Sequence, residues 1–577
     1  MCGILGYLGL RNGTLIVHEG LKALAYRGYD SWGMAIQNSG MTIQRGIGDI
    51  SKTEPASIQS NKVIGHTRWA THGGVTEANA HPHTNADKTI AVVHNGIIEN
   101  YVSIKAELEK DGYVFLSQTD TETIPHLIDS YMRKGASFKE AFKQMLEKIE
   151  GSYAILATHA NDSTLHFAKN GSPLVLGLGQ NEYFVSSDIL SFLPHTKVVM
   201  HLEDGDYGRV SNTIEIYNNG KLATRQPSTA HWDVEIAKKG DYPHFMIKEI
   251  SEQPLTIRKS LNQTPELIKQ TAFLLQNAST VFLVGCGTSY NACATSAYQF
   301  SKSGKQTTPV LGSEFAQQLP FIDKKSAVIA VSQSGETADI IDSVKATKER
   351  GGTVIAIVNV PSSTLARMAD VVIPINSGPE LCVLSTKAYT GQLAILFTLA
   401  FTLQGKNNNI LVEAADSTLH VLKQHQQTMP ELAKKIANAK SIFTIGRGIL
   451  SQIAREAALK IKEVSYLHAE GMPAGELKHG SIALIEEGTP VIVFADNETR
   501  ALTTSNAMEV KARGAFVIGV DSKPNPAYDF HIQIPDLDAA TPILSILPIQ
   551  LLAYYLALER GCDPDKPRNL AKSVTVR

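Results

Sequence analysis

Cys2 stands directly behind the initiator Met1 at the head of MCGILGYLGL. Removal of Met1, which a residue as small as Cys permits, puts a thiol and a free α-amine on one residue. An amine titrating near ~7.7–8 can take the proton of a thiol near ~8.5 without help from a histidine, so Cys2 would carry its own base. Taken alone, an ordinary small residue after Met is the commoner reading. Two polar segments reverse that balance, HTRWATHGG (66–74) and HNGIIEN (94–100). Arg68 can grip a carboxylate in bidentate fashion, and Asn95 with the N–H of Gly96 can donate to a developing oxyanion, worth ~3–4 kcal/mol per donor in hydrolases. Asp120 in SQTDTE can hold a substrate ammonium. Each has a plainer alternative: Asn-Gly is the commonest hairpin turn, and Asp120 precedes a helical pattern that it could cap.

A second set lies in the other half. Ser332-Gln333-Ser334-Gly335-Glu336-Thr337 falls between a strand-like run and a helical one, offering hydroxyls and N–H groups at a helix N-terminus, as a phosphate monoester requires. In EAALKIKE, Glu456, Lys460 and Glu463 recur at i, i+4 and i+7 and share one helix face, either as acid–base machinery or as a solvated salt-bridge stripe. Lys572 lies in an uncharged small-residue tail, where desolvation would favour a usable amine.

The elements that must position these groups fall into two patterns. Residues 2 to about 225 alternate strand-like runs (TIAVVHNGII, SYAILATHA, STLHFAKNG, IEIYNNGKL) with Asn/Gly/Asp turns, and carry helical patterns near 15–25, 99–111 and 122–149, which predicts an α+β layered domain. A polar stretch, 230–254, reads as a linker and the start of a helix. Thereafter strand, glycine loop and helix alternate as in parallel α/β units, and the pattern occurs twice: STVFLVGCGTSYNA matches KSIFTIGRGILSQI, and 327–360 matches 490–522. The repeats differ at the hydroxyl loop, which in the second reads Ala495-Asp496-Asn497-Glu498, whose acids repel a dianion, so one phosphate site per chain is expected. Tyr290 and Ser451 stand where a dinucleotide fingerprint needs its third glycine, which removes a dehydrogenase.

Length and composition bound the rest. A chain of 577 residues needs several cores. With 54 basic and 56 acidic side chains it has no charge excess to favour nucleic acid or an anionic membrane. Five scattered cysteines without a CxxC pair argue against a disulfide framework and a zinc site and fit a reducing cytoplasm. No signal-peptide pattern precedes Cys2, and the apolar stretches 393–403 and 543–558 read as buried helices.

MCGI, YRGYDS, HTRWATHG and HNGIIEN resemble the glutaminase domain of class II, N-terminal-nucleophile amidotransferases. GCGTSYN, SQSGET, STKAYT, AGELKHG and PRNLAKSVTV resemble tandem sugar-isomerase (SIS) domains. Together, in this order, they resemble the glutamine–fructose-6-phosphate aminotransferase family over essentially the full chain. The resemblance implies a four-layer αββα glutaminase domain (2–229), the linker (230–254), a sugar-phosphate-binding SIS domain (255–425), a second SIS domain (426–567) and a catalytic tail (568–577). It implies that L-glutamine gives its amide nitrogen to D-fructose 6-phosphate in a cytoplasmic homodimer without metal, pyridoxal phosphate, nicotinamide, nucleic acid or membrane.

By the same resemblance Cys2 is the nucleophile, Arg68, Thr71 and His72 hold the glutamine carboxylate side, Asp120 its ammonium, and Asn95 with Gly96 the oxyanion. Trp69 corresponds to the gate of an ammonia channel. Ser289, Ser332, Gln333, Ser334 and Thr337 bind the phosphate, with Thr288, Val383 and Ser385 along the sugar. Glu463, on the face it shares with Glu456 and Lys460, shuttles the proton between C1 and C2, His479 opens the ring from a neighbouring subunit, and Lys572 forms the Schiff base. Three residues and one segment depart from the pattern: Trp32 stands in place of a small residue, Leu384 in place of an alanine beside the sugar, Ser481 in place of a proline, and SEFAQQ (313–318) continues SEF differently. They leave another sugar phosphate as an alternative acceptor. A sugar-phosphate-sensing regulator is the non-catalytic alternative, which needs neither Cys2 nor the Lys572 tail.

Overall fold

Strands buried on both faces, such as Gly3–Leu8 and Lys62–Arg68, build two antiparallel sheets in the computed structural model, which describes residues 2–70, 72–230 and 238–575. Thr71 lies outside the described residues. The eight-stranded sheet sets Gly3–Leu8 between Glu182–Ser186 and Lys62–Arg68. The seven-stranded sheet pairs Ile90–Ile98 with Gly151–His159 along their full lengths. Ile4, Ile64 and Val185 from the first sheet and Val93, Leu156 and Phe167 from the second share one apolar layer, so the sheets face each other. Each such side chain, fully buried, contributes ~1.5–3 kcal/mol. Helix Gly13–Ala23 covers the outer face of the first sheet, where Gly65 leaves room for Val17 and Leu21. Helices Tyr101–Lys110, Thr123–Arg133 and Phe138–Lys148 cover the second. The result is the expected αββα stack.

The pattern at 122–149 is two helices. Gly135 at φ +99 closes the first, and Ser137 with Glu140 forms a capping box that starts the next. Trp32 lies on strand Ser31–Gln37, opposite Gly46, whose missing side chain makes room for the indole, and meets His18 edge-on at 6.5 Å. The indole thus packs within the sheet and against the outer helix, away from the thiol pocket described below.

Compact units divide at Lys238/Lys239 and again at Leu570/Ala571, the last seven residues grouping with the first unit. Helices of the second unit begin at Phe245, inside the stretch read as a linker and the start of a helix. Its two five-stranded parallel sheets have the same strand order, 2-1-3-4-5 within each repeat. One continuous core joins them: Leu393 and Phe397 of the first repeat and Ile453 and Leu552 of the second belong to a single apolar cluster. Helix Asn409–Ile436 runs unbroken across the expected domain boundary at 425/426. The stretch 538–559 is apolar and long enough to cross a bilayer, yet 89% of its apolar 18-residue window is buried, as is Lys387–Leu403 almost throughout.

Candidate active sites

Strand Gly3–Leu8 carries Cys2 at its start, against the end of strand Lys62–Arg68. The Trp69 N–H donates to Cys2 Sγ at 3.3 Å, and Asn95 Nδ2 donates to the Cys2 carbonyl at 2.9 Å. Burial pushes the thiol above its usual range, against the Trp69 N–H and the Arg68 guanidinium, which favour the thiolate. Such a thiol needs a base beside it to react at neutral pH.

Asn95-Gly96 is no hairpin: both residues sit within strand Ile90–Ile98, paired with Ala154 and Tyr153. Gly96 has φ +128, and a Cβ there would lie 1.9 Å from the Ser152 carbonyl oxygen, so only glycine fits. Asp120 does not cap a helix with its side chain; its carboxylate accepts from Ile98 N–H at 2.8 Å, one turn ahead of helix Thr123–Arg133. Arg68 donates to Gly74 O (3.1 Å), Gly73 O (3.2 Å) and His72 O, holding the 72–74 turn by its backbone. Cys2, Arg68, Trp69, His72, Asn95, Gly96 and Asp120 line one pocket. His81, His94, Thr119, Thr121 and Thr575 complete it. Thr575 comes from the tail that carries Lys572, a placement for which sequence spacing held no signal.

In the second unit the first repeat's loops follow strands Thr280–Gly285 and Ser326–Ser332, which are neighbours in the sheet and mark its topological switch point, where open α/β sheets bind ligands. Gly285 lets helix Thr288–Lys302 approach its strand, since a Cβ would meet Tyr290 N at 2.6 Å. Ser332 Oγ accepts the Gly335 N–H (3.0 Å) and lies 3.5 Å from Thr337 Oγ1, and Ser334 Oγ accepts the Glu336 N–H at 3.2 Å, gathering hydroxyls at the start of helix Ala338–Glu349. Gln333 bonds Asn359 N–H through its carbonyl. Ser289 Oγ accepts from buried Gln392 Nε2 at 3.0 Å, which leaves its own proton to donate to a ligand. Val383 and Ser385 lie on a turn organised by Glu380, whose carboxylate accepts from Ser385 Oγ (3.2 Å), Thr386 N (2.9 Å) and Ala388 N (3.1 Å).

The charged face of EAALKIKE is not solvated. Glu456 and Lys460 are fully buried, and Lys460 Nζ lies 2.7 Å from Glu463 Oε2 and 3.4 Å from Glu456 Oε1. Thr288 ties the face to the first repeat, donating to Glu456 at 3.1 Å and accepting from Lys460 at 2.9 Å, while Asn291 Nδ2 donates to Glu456 at 2.7 Å. Burial disfavours the Lys460 ammonium, but Glu463 and Glu456 outweigh it and hold the amine above its usual range; burial raises Glu456. Asn291 escaped the sequence reading because its partner is 165 residues away. His479 is exposed on the short helix Glu476–His479, and Lys572 is half-buried in the tail. Leu384 is fully buried in the apolar core. SEFAQQ forms a 3-10 turn that buries Phe315 and exposes Glu314, Ala316 and Gln317, and Ser481 opens another such turn. Among the described residues no group of three His, Cys, Asp or Glu is arranged to hold a metal ion.

In the second repeat the equivalent loop is filled from within. Asp496 accepts from Thr499 N (2.8 Å) and Oγ1 (2.7 Å), and Arg500 is bound to Asp521 at 2.7 Å and lies 3.6 Å from Asp536.

Residues 66–194 match the Glutamine amidotransferase domain family, and 274–403 and 435–560 each match the SIS domain family. The chain is 43% identical to a Pyrococcus horikoshii protein and 43% identical to a Pyrobaculum aerophilum protein, each named glutamine–fructose-6-phosphate aminotransferase (isomerizing), with both chains covered completely. A Clostridium acetobutylicum protein of the same name is 41% identical over the same extent. Among solved structures, the C-terminal domain of glucosamine-fructose-6-phosphate aminotransferase from Francisella tularensis matches 57% of this chain and 99% of its own, with TM-score 0.51 and 29% identity. Glucosamine-6-phosphate deaminase from Thermotoga maritima matches 58% of this chain and 100% of its own, with TM-score 0.50 and 25% identity.

Proposed function

Since this chain belongs to the isomerizing glutamine–fructose-6-phosphate aminotransferases, we propose how its residues share the transfer of the glutamine amide nitrogen to fructose 6-phosphate, which gives glucosamine 6-phosphate and glutamate. Once Met1 is removed, the α-amine of Cys2 takes the thiol proton and Sγ adds to the glutamine amide carbonyl. The adduct collapses by breaking the C–N bond, the amine returns its proton so that ammonia leaves, and water hydrolyses the thioester to glutamate and free thiol. Asn95 Nδ2 and the Gly96 N–H receive the oxyanion, Asp120 the substrate ammonium, and Arg68 with His72 the carboxylate side. In the second unit, Ser289, Ser332, Ser334 and Thr337 hold the phosphate, with Gln333. His479 opens the ring, Lys572 condenses with the C2 carbonyl with loss of water, and the ammonia released from glutamine then takes the place of the lysine amine on C2. Glu463 then carries the proton between C1 and C2, with Lys460 and Glu456 holding it in place. The exposed position of His479 fits a residue given to a neighbouring subunit in a cytoplasmic homodimer.

The observation that carries this reading is the gathering of Cys2, Asn95, Gly96 and Asp120 around one pocket. Cys2→Ala tests it: glutamine hydrolysis and amino-sugar synthesis should vanish while isomerisation of fructose 6-phosphate to glucose 6-phosphate persists. Glutaminase activity remaining in that variant would move the nucleophile elsewhere.

A further inference from the structure

His66 is fully buried and takes no part in the chemistry proposed above. It projects from strand Lys62–Arg68 of one sheet to strand Ile90–Ile98 of the other, where its Nε2 lies 3.1 Å from the His94 carbonyl and 3.1 Å from Asn95 Oδ1. The His94 carbonyl can only accept, so Nε2 carries the proton. The Asn95 atom facing the same N–H must therefore be its oxygen. Independently, the other end of that amide faces the Cys2 carbonyl at 2.9 Å, again an obligate acceptor, which requires nitrogen there. Two backbone carbonyls thus fix both the imidazole tautomer and the amide orientation.

The ring has little freedom to lose this arrangement. It stacks on His81 with centroids 4.0 Å apart, and its Nδ1 is buried without a partner among the described residues, as suits a lone pair rather than an N–H. Burial, with Arg68 nearby, keeps the imidazole neutral by holding its pKa well below the usual value.

We propose that His66 is a positioning residue for glutamine hydrolysis, holding the Asn95 amide so that its nitrogen rather than its oxygen faces the Cys2 side of the pocket. The inference rests on the reading of Asn95 as an oxyanion donor. Without His66 only the contact with the Cys2 carbonyl opposes a half-turn of the amide, and that half-turn would set a carbonyl dipole against the developing negative charge.

The test compares His66→Leu, His66→Gln, Asn95→Ala and the double variant His66→Leu/Asn95→Ala in glutaminase assays of the full-length enzyme. His66→Leu should lower kcat by about 10²–10³, the range of a lost oxyanion donor, with KM for glutamine within a few-fold. His66→Gln, which can still donate to Asn95, should recover at least about ten-fold of that loss, and the double variant should be no slower than Asn95→Ala. Alkylation of Cys2 by iodoacetamide forms no oxyanion, so its rate, followed on the N-terminal peptide, should not change, nor should isomerisation of fructose 6-phosphate. If His66→Leu fails to accumulate, His66→Asn, too short to reach Asn95, should show the same loss of kcat. Wild-type kcat in His66→Leu or His66→Asn, additive losses in the double variant, or a parallel fall in alkylation would overturn the proposal. If Asn95→Ala itself keeps its kcat, the oxyanion reading fails instead.

Discussion

At Gly96 the need for a particular residue is set by backbone alone. With φ +128 and the Ser152 carbonyl 1.9 Å from any Cβ, Gly96→Ala must move the strand that also carries Asn95. Its expected result is loss of glutaminase kcat by at least about 10²-fold, the scale of one oxyanion donor, with isomerisation intact; a glutaminase near wild type would show that strand Gly151–His159 can yield. Lys572 is governed by chemistry instead. A Schiff base needs a primary amine, so Lys572→Arg should end amino-sugar formation and spare glutamine hydrolysis, and borohydride with fructose 6-phosphate should add mass to the C-terminal peptide of the wild type. An arginine variant that still makes amino sugar would remove Lys572 from the mechanism. Residues of this kind were legible because local words carry them: MCGI, HNG and SQSGET each place reactive groups within a few positions. His66 and Asn291 were not, since their partners lie across a sheet interface or in the other repeat, and one His or Asn in a strand or helix says nothing about what it faces.

Elements of the second unit show why a duplicated fold need not duplicate a site. Both sheets share one strand order, and both open at the same switch point. In the first repeat the loop there leaves Ser334 and Thr337 hydroxyls at a helix N-terminus. In the second, Thr499 satisfies Asp496 and Arg500 satisfies Asp521. Charge-assisted hydrogen bonds to a bound phosphate contribute ~1.5–3 kcal/mol each, so Ser334→Ala with Thr337→Ala should weaken binding of fructose 6-phosphate by roughly 10²-fold or more, and Asn497→Ala with Thr499→Ala should change it less than about three-fold. Calorimetric titration of both double variants decides the matter, and equal losses would mean two phosphate sites. The repeat and its asymmetry could be read from the alignment of the two halves. The break at Gly135 in the 122–149 pattern could not, because hydrophobic periodicity resumes in phase after it. Nor could the cross-repeat bonds of Thr288 and Asn291 to Glu456, which turn an apparent surface charge stripe into a buried network.

At the scale of a whole unit, buried histidines make the first unit sensitive to acid. His66, His81, His83 and His94 are buried in the first unit and held below their usual pKa by burial, His83 to about 3. Below about pH 6.5 the unfolded chain protonates these imidazoles while the folded unit does not, so stability falls as pH falls, by up to ~1.4 kcal/mol per pH unit for each histidine. Buried carboxylates such as Glu122, held near 2, begin to add to this loss only below about 4.5. Scanning calorimetry between pH 7 and 5 should therefore show the first unit's transition moving to lower temperature; a midpoint constant over that interval would contradict neutral burial of the cluster. The assembly makes its own prediction. If His479 serves a neighbouring subunit, a site needs Glu463 from one copy and His479 from the other, and neither His479→Ala nor Glu463→Gln homodimers should make amino sugar. Equal mixing with subunit exchange makes half of the dimers mixed, and each mixed dimer has one intact site of two. Synthesis should then return to about a quarter of the wild-type rate, the value a two-fold arrangement with shared sites dictates. If both residues act within one chain, every site in the mixture carries one defect and synthesis stays absent.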